Sequence, residues 1–191
     1  MFRSGNLVNG RQQGGVAVSR DGGRWWELCH KGVFKDGKYQ QGMRLGAVCT
    51  HIVLDPESPV GARTLYVCDF GNGVYKSTDG GETWQLKNKG LGPNRNAWRM
   101  VLLPGGKLFL LVARGMKGGQ VVDGKLYSSN DGANSWQAVP LPEGVNAPND
   151  LVYDPTNPKR MYLSCWPWPK EGKEHCGGRM SGAGEKPGST G

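Results

Sequence analysis

An all-β fold built from a repeated four-stranded antiparallel unit is predicted by three features of this 191-residue sequence. Glycine and proline are abundant, at 32 and 12 residues, which marks many tight turns. Yet 37% of the residues are hydrophobic and seven are tryptophan, far too much apolar surface for an unfolded linker, so short buried strands must join those turns. The third feature is an eight-residue phrase that occurs three times with the same chemistry at the same offsets.

The first copy is Ser19-Arg20-Asp21-Gly22-Gly23-Arg24-Trp25-Trp26, after the strand-like Val16-Ala17-Val18. The second and cleanest is Ser77-Thr78-Asp79-Gly80-Gly81-Glu82-Thr83-Trp84, after Gly73-Val74-Tyr75-Lys76. The third is Ser129-Asn130-Asp131-Gly132-Ala133-Asn134-Ser135-Trp136, with Ala133 and Ser135 in place of a glycine and the threonine. Successive aspartates lie 58 and 52 residues apart. Each carboxylate is placed to accept backbone N–H groups of its own turn, and glycine supplies angles that a side chain forbids. The closing tryptophan then opens the next strand and buries its large face against neighbours.

Between the phrases sits a second repeat. His51-Ile52-Val53-Leu54-Asp55-Pro56 aligns with Arg99-Met100-Val101-Leu102-Leu103-Pro104 and with Asp150-Leu151-Val152-Tyr153-Asp154-Pro155. Each is an apolar run ending in a proline turn, followed by another run: Thr64 to Cys68, Leu108 to Val112, and Met161 to Cys165. The unit is therefore a four-strand meander of about fifty residues, which is how a propeller blade reads. Residues 15–30 form the outer half of one blade, 49–89 and 97–139 two full blades, and 149–166 the inner half of a fourth. The predicted fold is a partial β-propeller of about three blades over 15–169, with an irregular segment at 1–14 and a disordered, flexible tail at 170–191. Closed propellers hold four to eight blades. A fragment, or one part of a larger assembly with the remaining blades as its partner, is the expectation, and the isolated chain is expected to self-associate. A fourth phrase is due at Ser181, but Ala183, Glu185, Pro187 and Gly188 hold its key positions.

Over residues 15–166 the chain resembles the BNR or Asp-box repeat family, which includes sialidases, xyloglucan-active hydrolases, sortilin-like receptors and photosystem-assembly propellers. The resemblance implies that Ser19, Asp21, Gly23 and Trp26, with Ser77, Asp79, Gly81 and Trp84, and Ser129, Asp131 and Trp136, are structural residues of peripheral turns. It favours a secreted or periplasmic setting, although the start of this chain carries no signal-peptide core. It implies either a carbohydrate-active, glycoside-hydrolase-like propeller or a non-catalytic one that binds proteins or peptides.

Composition narrows the other classes. The net charge of +8 comes from scattered Lys and Arg that never form a basic block, so nucleic acid is not an expected partner. No apolar run is long enough to span a membrane as a helix. Cys29, Cys49, Cys68, Cys165 and Cys176 form no CxxC pair, so neither a metal site nor a disulfide framework is expected, and they read as small buried hydrophobes. No cofactor is implied.

In a propeller the first strand of each blade lines the axis and its entrance faces the ligand funnel. His51, Arg99 and Asp150 hold that place in three successive blades, either as ligand-binding groups or merely as solvating ones. Hairpin counting from Pro56 sets His51 opposite Asp69. Asp69 lies in Cys68-Asp69-Phe70-Gly71-Asn72-Gly73, which loosely resembles the Asp-Val-Gly-Gly stretch around a catalytic aspartate of xyloglucan-active relatives, with Phe70 and Asn72 departing from it. The resemblance makes Asp69 a candidate catalytic carboxylate, and, since glycoside hydrolysis usually takes two, Asp150 at a strand entrance of another blade across the funnel is the candidate second. Trp98, Trp166 and Trp168 stand outside the phrases near funnel-side strand ends, and serve either as a sugar-stacking platform or as packing between blades.

Overall fold

The computed structural model describes residues 15–29 and 48–166, with two-residue strand pieces at 7–8, 11–12, 34–35 and 38–39. In chain order the strands are β1 (Leu7–Val8), β2 (Arg11–Gln12), β3 (Val16–Val18), β4 (Glu27–Cys29), β5 (Phe34–Lys35), β6 (Lys38–Tyr39), β7 (Cys49–Leu54), β8 (Leu65–Asp69) and β9 (Gly73–Ser77). There follow β10 (Gln85–Leu86), β11 (Ala97–Leu102), β12 (Leu108–Val112), β13 (Gly115–Lys117), β14 (Gln120–Val122), β15 (Lys125–Ser129), β16 (Gln137–Val139), β17 (Pro148–Asp154) and β18 (Asn157–Cys165). Among the described residues there is no α-helix, and no helix long and apolar enough to cross a membrane. Most of the expected irregular segment 1–14, the expected tail 170–191, Trp168 and Cys176 lie outside the described residues.

Two sheets are complete four-stranded antiparallel meanders, β7-β8-β9-β10 and β11-β12-β15-β16, the second carrying the hairpin β13-β14 between its middle strands. The pair β17-β18 repeats the inner half of such a sheet and β3-β4 the outer half. The first strands of successive sheets, β7, β11 and β17, lie side by side. That arrangement is a partial β-propeller.

Burial on both faces of each blade follows from strand alternation. In β8 and β9, Tyr66, Cys68 and Val74 face the next blade and meet Met100, Leu108, Leu110, Val112 and Trp136. Their neighbours Val67 and Tyr75 face the previous blade, with Trp84, Val16 and Leu65. In β12 the odd residues Phe109 and Leu111 join Leu126, Leu151 and Leu163 in a third cluster. Each apolar strand therefore serves two interfaces, and a side chain fully buried there contributes roughly 1.5–3 kcal/mol.

The recurring turns are closed by their aspartates. Asp79 Oδ1 accepts the Ser77 hydroxyl at 2.7 Å and the Thr83 N–H at 2.9 Å, while Ser77 Oγ accepts the Gly81 N–H at 2.9 Å. Asp131 repeats this with Ser129 at 2.7 Å and Ser135 N–H at 2.9 Å. Asp21 accepts Ser19 at 2.8 Å and the amides of Arg24 and Trp25 at 3.0 Å each. Hydrogen bonds led by those of Ser135 hold the Asp131 carboxyl down at about 2. The site of Gly23 and Gly81 has a left-handed backbone, with φ of 89° and 93°. Ala133 keeps that conformation at 67°, the single positive-φ residue other than glycine among those described.

The turns also tie blade to blade. Trp136 donates its backbone N–H to Lys89 O and its indole N–H to Lys87 O, both at 2.9 Å, which fastens the linker leaving one blade to the turn of the next. Lys76 Nζ reaches Gly132 O at 2.9 Å across the same interface. One blade earlier, Arg20 pairs with Glu82.

Candidate functional site

Each axial strand carries a bulge at its entrance. The pairing slips between Cys49 and His51, between Ala97 and Arg99, and between Pro148 and Asp150, so Thr50, Trp98 and Asn149 are extra residues at matching points. A bulge bends the strand and re-aims its side chains. The register also differs from that expected by hairpin counting: Asp55 and not Pro56 meets Thr64, its N–H donating to Thr64 O at 2.9 Å, so His51 opposes Cys68, and the bulge then sets Asp69 opposite Cys49. Counting back from Pro56 starts the hairpin one residue too late, and the inserted Thr50 adds a second slip between Cys49 and His51.

The three bulges bring His51, Arg99 and Asp150 into one row across three blades. Arg99 Nε meets Asp150 Oδ1 at 2.8 Å, with both side chains 40% exposed. The Leu151 N–H also donates to Asp150 Oδ1 at 2.8 Å, so this carboxylate is fixed from two sides. His51 Nδ1 accepts the Met100 N–H at 3.3 Å, which puts the proton of the neutral ring on Nε2. Burial first, then the nearby Arg99 charge, push the His51 pKa below 6.5, and Asp150 works against them. The Thr50 hydroxyl lies 2.8 Å from Trp98 O and 3.1 Å from Ala97 O, a further tie between the first two bulges.

Beside this row opens a cleft of about 280 Å³ lined by Phe70, Trp98, Ala113, Arg114, Ala147, Pro148, Asn149 and Trp166. Two of its walls, Trp98 and Asn149, are bulge residues. Phe70 stands edge-on to Trp98, with ring centroids 6.2 Å apart and planes at 78°. Trp98 is 38% and Trp166 61% exposed, so both indoles present apolar faces to solvent at the cleft. Trp166 is held by its N–H to Ala147 O at 2.9 Å. Behind Ala113, the buried Asn94 donates to Ala113 O at 2.9 Å and Asp123 O at 3.1 Å and accepts the Asn96 N–H.

Asp69 is placed differently from Asp150. It is fully buried at the end of β8, with Asn72 Nδ2 donating to Oδ2 at 2.9 Å. Burial, and then the Asp69 charge, push the facing Cys49 thiol up to about 12. Trp98 and Trp166 thus line the cleft, Arg99 and Asp150 pair with each other at the residues after two of the bulges, His51 stands at the same place on the neighbouring strand, and Asp69 is buried in the sheet. Cys29 and Cys68 are buried as expected of small hydrophobes, whereas Cys165 is exposed because β18 has no outer strand beside it among the described residues. Phe70 and Asn149 escaped the sequence reading. Phe70 registered only as a departure from a motif, and Asn149 has no signal until the bulge is known.

No family model matches the chain, and no curated protein matches it. Solved structures do. A GH74 enzyme from Niastella koreensis matches with 25% identity and a TM-score of 0.55, over 79% of this chain and 22% of that one. The GH74 xyloglucanase from Xanthomonas campestris matches with 17% identity and a TM-score of 0.51, over 80% of this chain and 24% of that one. The chain therefore spans a fifth to a quarter of the length of these neighbours, whose fold it shares.

Proposed function

We propose that this chain is a segment of an Asp-box propeller of the carbohydrate-active, glycoside-hydrolase kind, that its cleft takes part of a polysaccharide or oligosaccharide, and that it is not catalytically complete alone. The aromatic cleft carries the reading. Sugar rings have apolar C–H faces and a hydroxyl rim, and exposed indoles beside a fixed guanidinium–carboxylate pair complement both. Trp98 and Trp166 supply the stacking faces; Arg99, Asp150 and the Nε2–H of His51 supply hydrogen bonds to hydroxyls. The likeness to a GH74 enzyme supports the ligand class. The carboxylates support incompleteness, because hydrolysis usually takes two facing the bond at about 5–9.5 Å from each other, and Asp69 is buried while Asp150 is partly exposed and paired with Arg99.

Affinity electrophoresis of the chain through gels cast with xyloglucan and related glucans tests this. Retarded migration is expected, abolished by Trp98→Ala with Trp166→Ala, without release of reducing ends. Unretarded migration in every glucan ends the carbohydrate reading and leaves a protein- or peptide-binding propeller in its place.

A further inference from the structure

The outer strands of the first full blade turn a polar face toward the second. Val74 of β9 is buried on that side, so two-residue alternation brings Lys76 to the same face, and Gln85 and Lys87 come to it from the facing strand. Lys76 stands opposite Gln85, and the Lys87 N–H donates to Val74 O at 2.8 Å, so the two lysines are diagonal neighbours, a spacing that long side chains bridge. Together with Thr78 and Thr83 these residues line a pocket of about 80 Å³, and none of the described residues lining it is acidic.

Both ammonium groups are held in place by the second full blade. Lys76 Nζ donates to Gly132 O at 2.9 Å and lies 5.4 Å from the centroid of the Tyr66 ring, while Lys87 Nζ donates to Asn134 Oδ1 at 3.0 Å. An ammonium carries three donors, of which each of these bonds uses one. Burial, and then the Lys87 charge, push the Lys76 pKa below 10.5, and the charges of Asp131 and Asp55 do not offset them. Asp79, the carboxylate of the blade's own turn, already accepts the Ser77 hydroxyl and both the N–H and the hydroxyl of Thr83.

The repeat does not require this pair. At the places of Lys76 and Lys87 the second full blade has Ser128 and Val139, and the β3-β4 half-blade has Val18 and Cys29, yet all three turns close in the same way. Two like charges at one small pocket repel, and an anion between them removes the repulsion. We infer that this pocket binds a small inorganic oxyanion, phosphate or sulfate, between the Lys76 and Lys87 ammonium groups. Its volume suits a single small ion, and charge-assisted hydrogen bonds from the two ammoniums supply the affinity. Because each ammonium also holds the 131–134 turn, the bound ion clamps the two full blades together. The pocket shares no lining residue with the aromatic cleft, so the inference is independent of any carbohydrate.

Isothermal titration calorimetry of the whole chain with sodium phosphate and with sodium sulfate, at an ionic strength held constant with sodium chloride, is the test. Saturable binding at a single site in the millimolar range is expected for at least one of the two ions, and the pair of titrations tells which. Lys76→Ser and Lys87→Val install the residues of the second full blade and should each weaken binding about tenfold or more, whereas Lys87→Arg keeps the charge and should hold it within about threefold. Circular dichroism spectra matching the parent's show that the variants fold, and Lys87→Val against Lys87→Arg decides by itself if Lys76→Ser does not. No saturable heat with either ion, or binding that Lys87→Val leaves unchanged, overturns the proposal.

Discussion

Trp84 and Trp26 hold the same place in the same phrase, yet Trp84 has none of its surface exposed and Trp26 has 60%. Both turns are closed by a serine and an aspartate with nearly the same distances. The phrase therefore specifies the turn, and the adjacent blade supplies the burial. Trp84 packs on Val67 and Tyr75 of its own blade and Val16 of the one before. Trp26 opens the β3-β4 half-blade, which has no earlier blade beside it among the described residues.

The largest expected effect is at Trp84. Trp84→Ala should cost about 3–5 kcal/mol in denaturant unfolding, by lost transfer energy and an unfilled cavity. Trp26→Ala should change stability by no more than about 0.5 kcal/mol. Equal costs at the two tryptophans would break the comparison. Gly90→Ala comes next. Gly90 has φ of 88°, and a Cβ there would lie 2.1 Å from Trp136 O, where the linker meets the following turn. Backbone strain and overpacking together should cost about 2–5 kcal/mol, and a stability within error of the parent would show that the tie between these two blades gives way freely.

A milder change separates turn from packing. At Gly81 an added Cβ meets Leu65 and Trp84 at 3.5 and 3.6 Å, ordinary contact distances, so Gly81→Ala carries only the left-handed penalty of about 1–2 kcal/mol. Ala133, buried at the equivalent place, shows that this penalty is tolerated. A measured cost above about 3 kcal/mol would mean the two turns are not equivalent after all.

The same division governs what could be read from residues alone. Blade content was legible because the turn phrase and the two-residue alternation are local: Ser77 to Trp84 needs no distant partner to declare its turn, and Val67 and Cys68 declare opposite faces by adjacency. The site was legible only in part. His51, Arg99 and Asp150 share one alignment column, and that column is the residue after each bulge, so the row was visible although its cause was not. The bulges themselves depend on inter-strand pairing, and Thr50, Trp98 and Asn149 have no common chemistry to announce them. The same slip moved Asp69 opposite Cys49, a shift no single-strand pattern encodes.

The smallest expected effect is at His51, where the row of charges meets the interior. Its pKa lies below the unfolded value of 6.5 because burial and Arg99 oppose protonation more than Asp150 favours it. Between the folded and unfolded values the unfolded chain binds more protons, so stability rises with pH there. His51 thus contributes stability that is full above pH 6.5 and lost as pH falls through its lowered pKa. Protonation also places a hydrogen on Nδ1, which then cannot accept the Met100 N–H. His51→Gln should remove this dependence, so urea unfolding of the two proteins from pH 8 downward should give curves that differ in slope below 6.5 and run parallel above it. Curves parallel throughout would mean that the ring is solvated like any surface imidazole and that the row ends at Arg99.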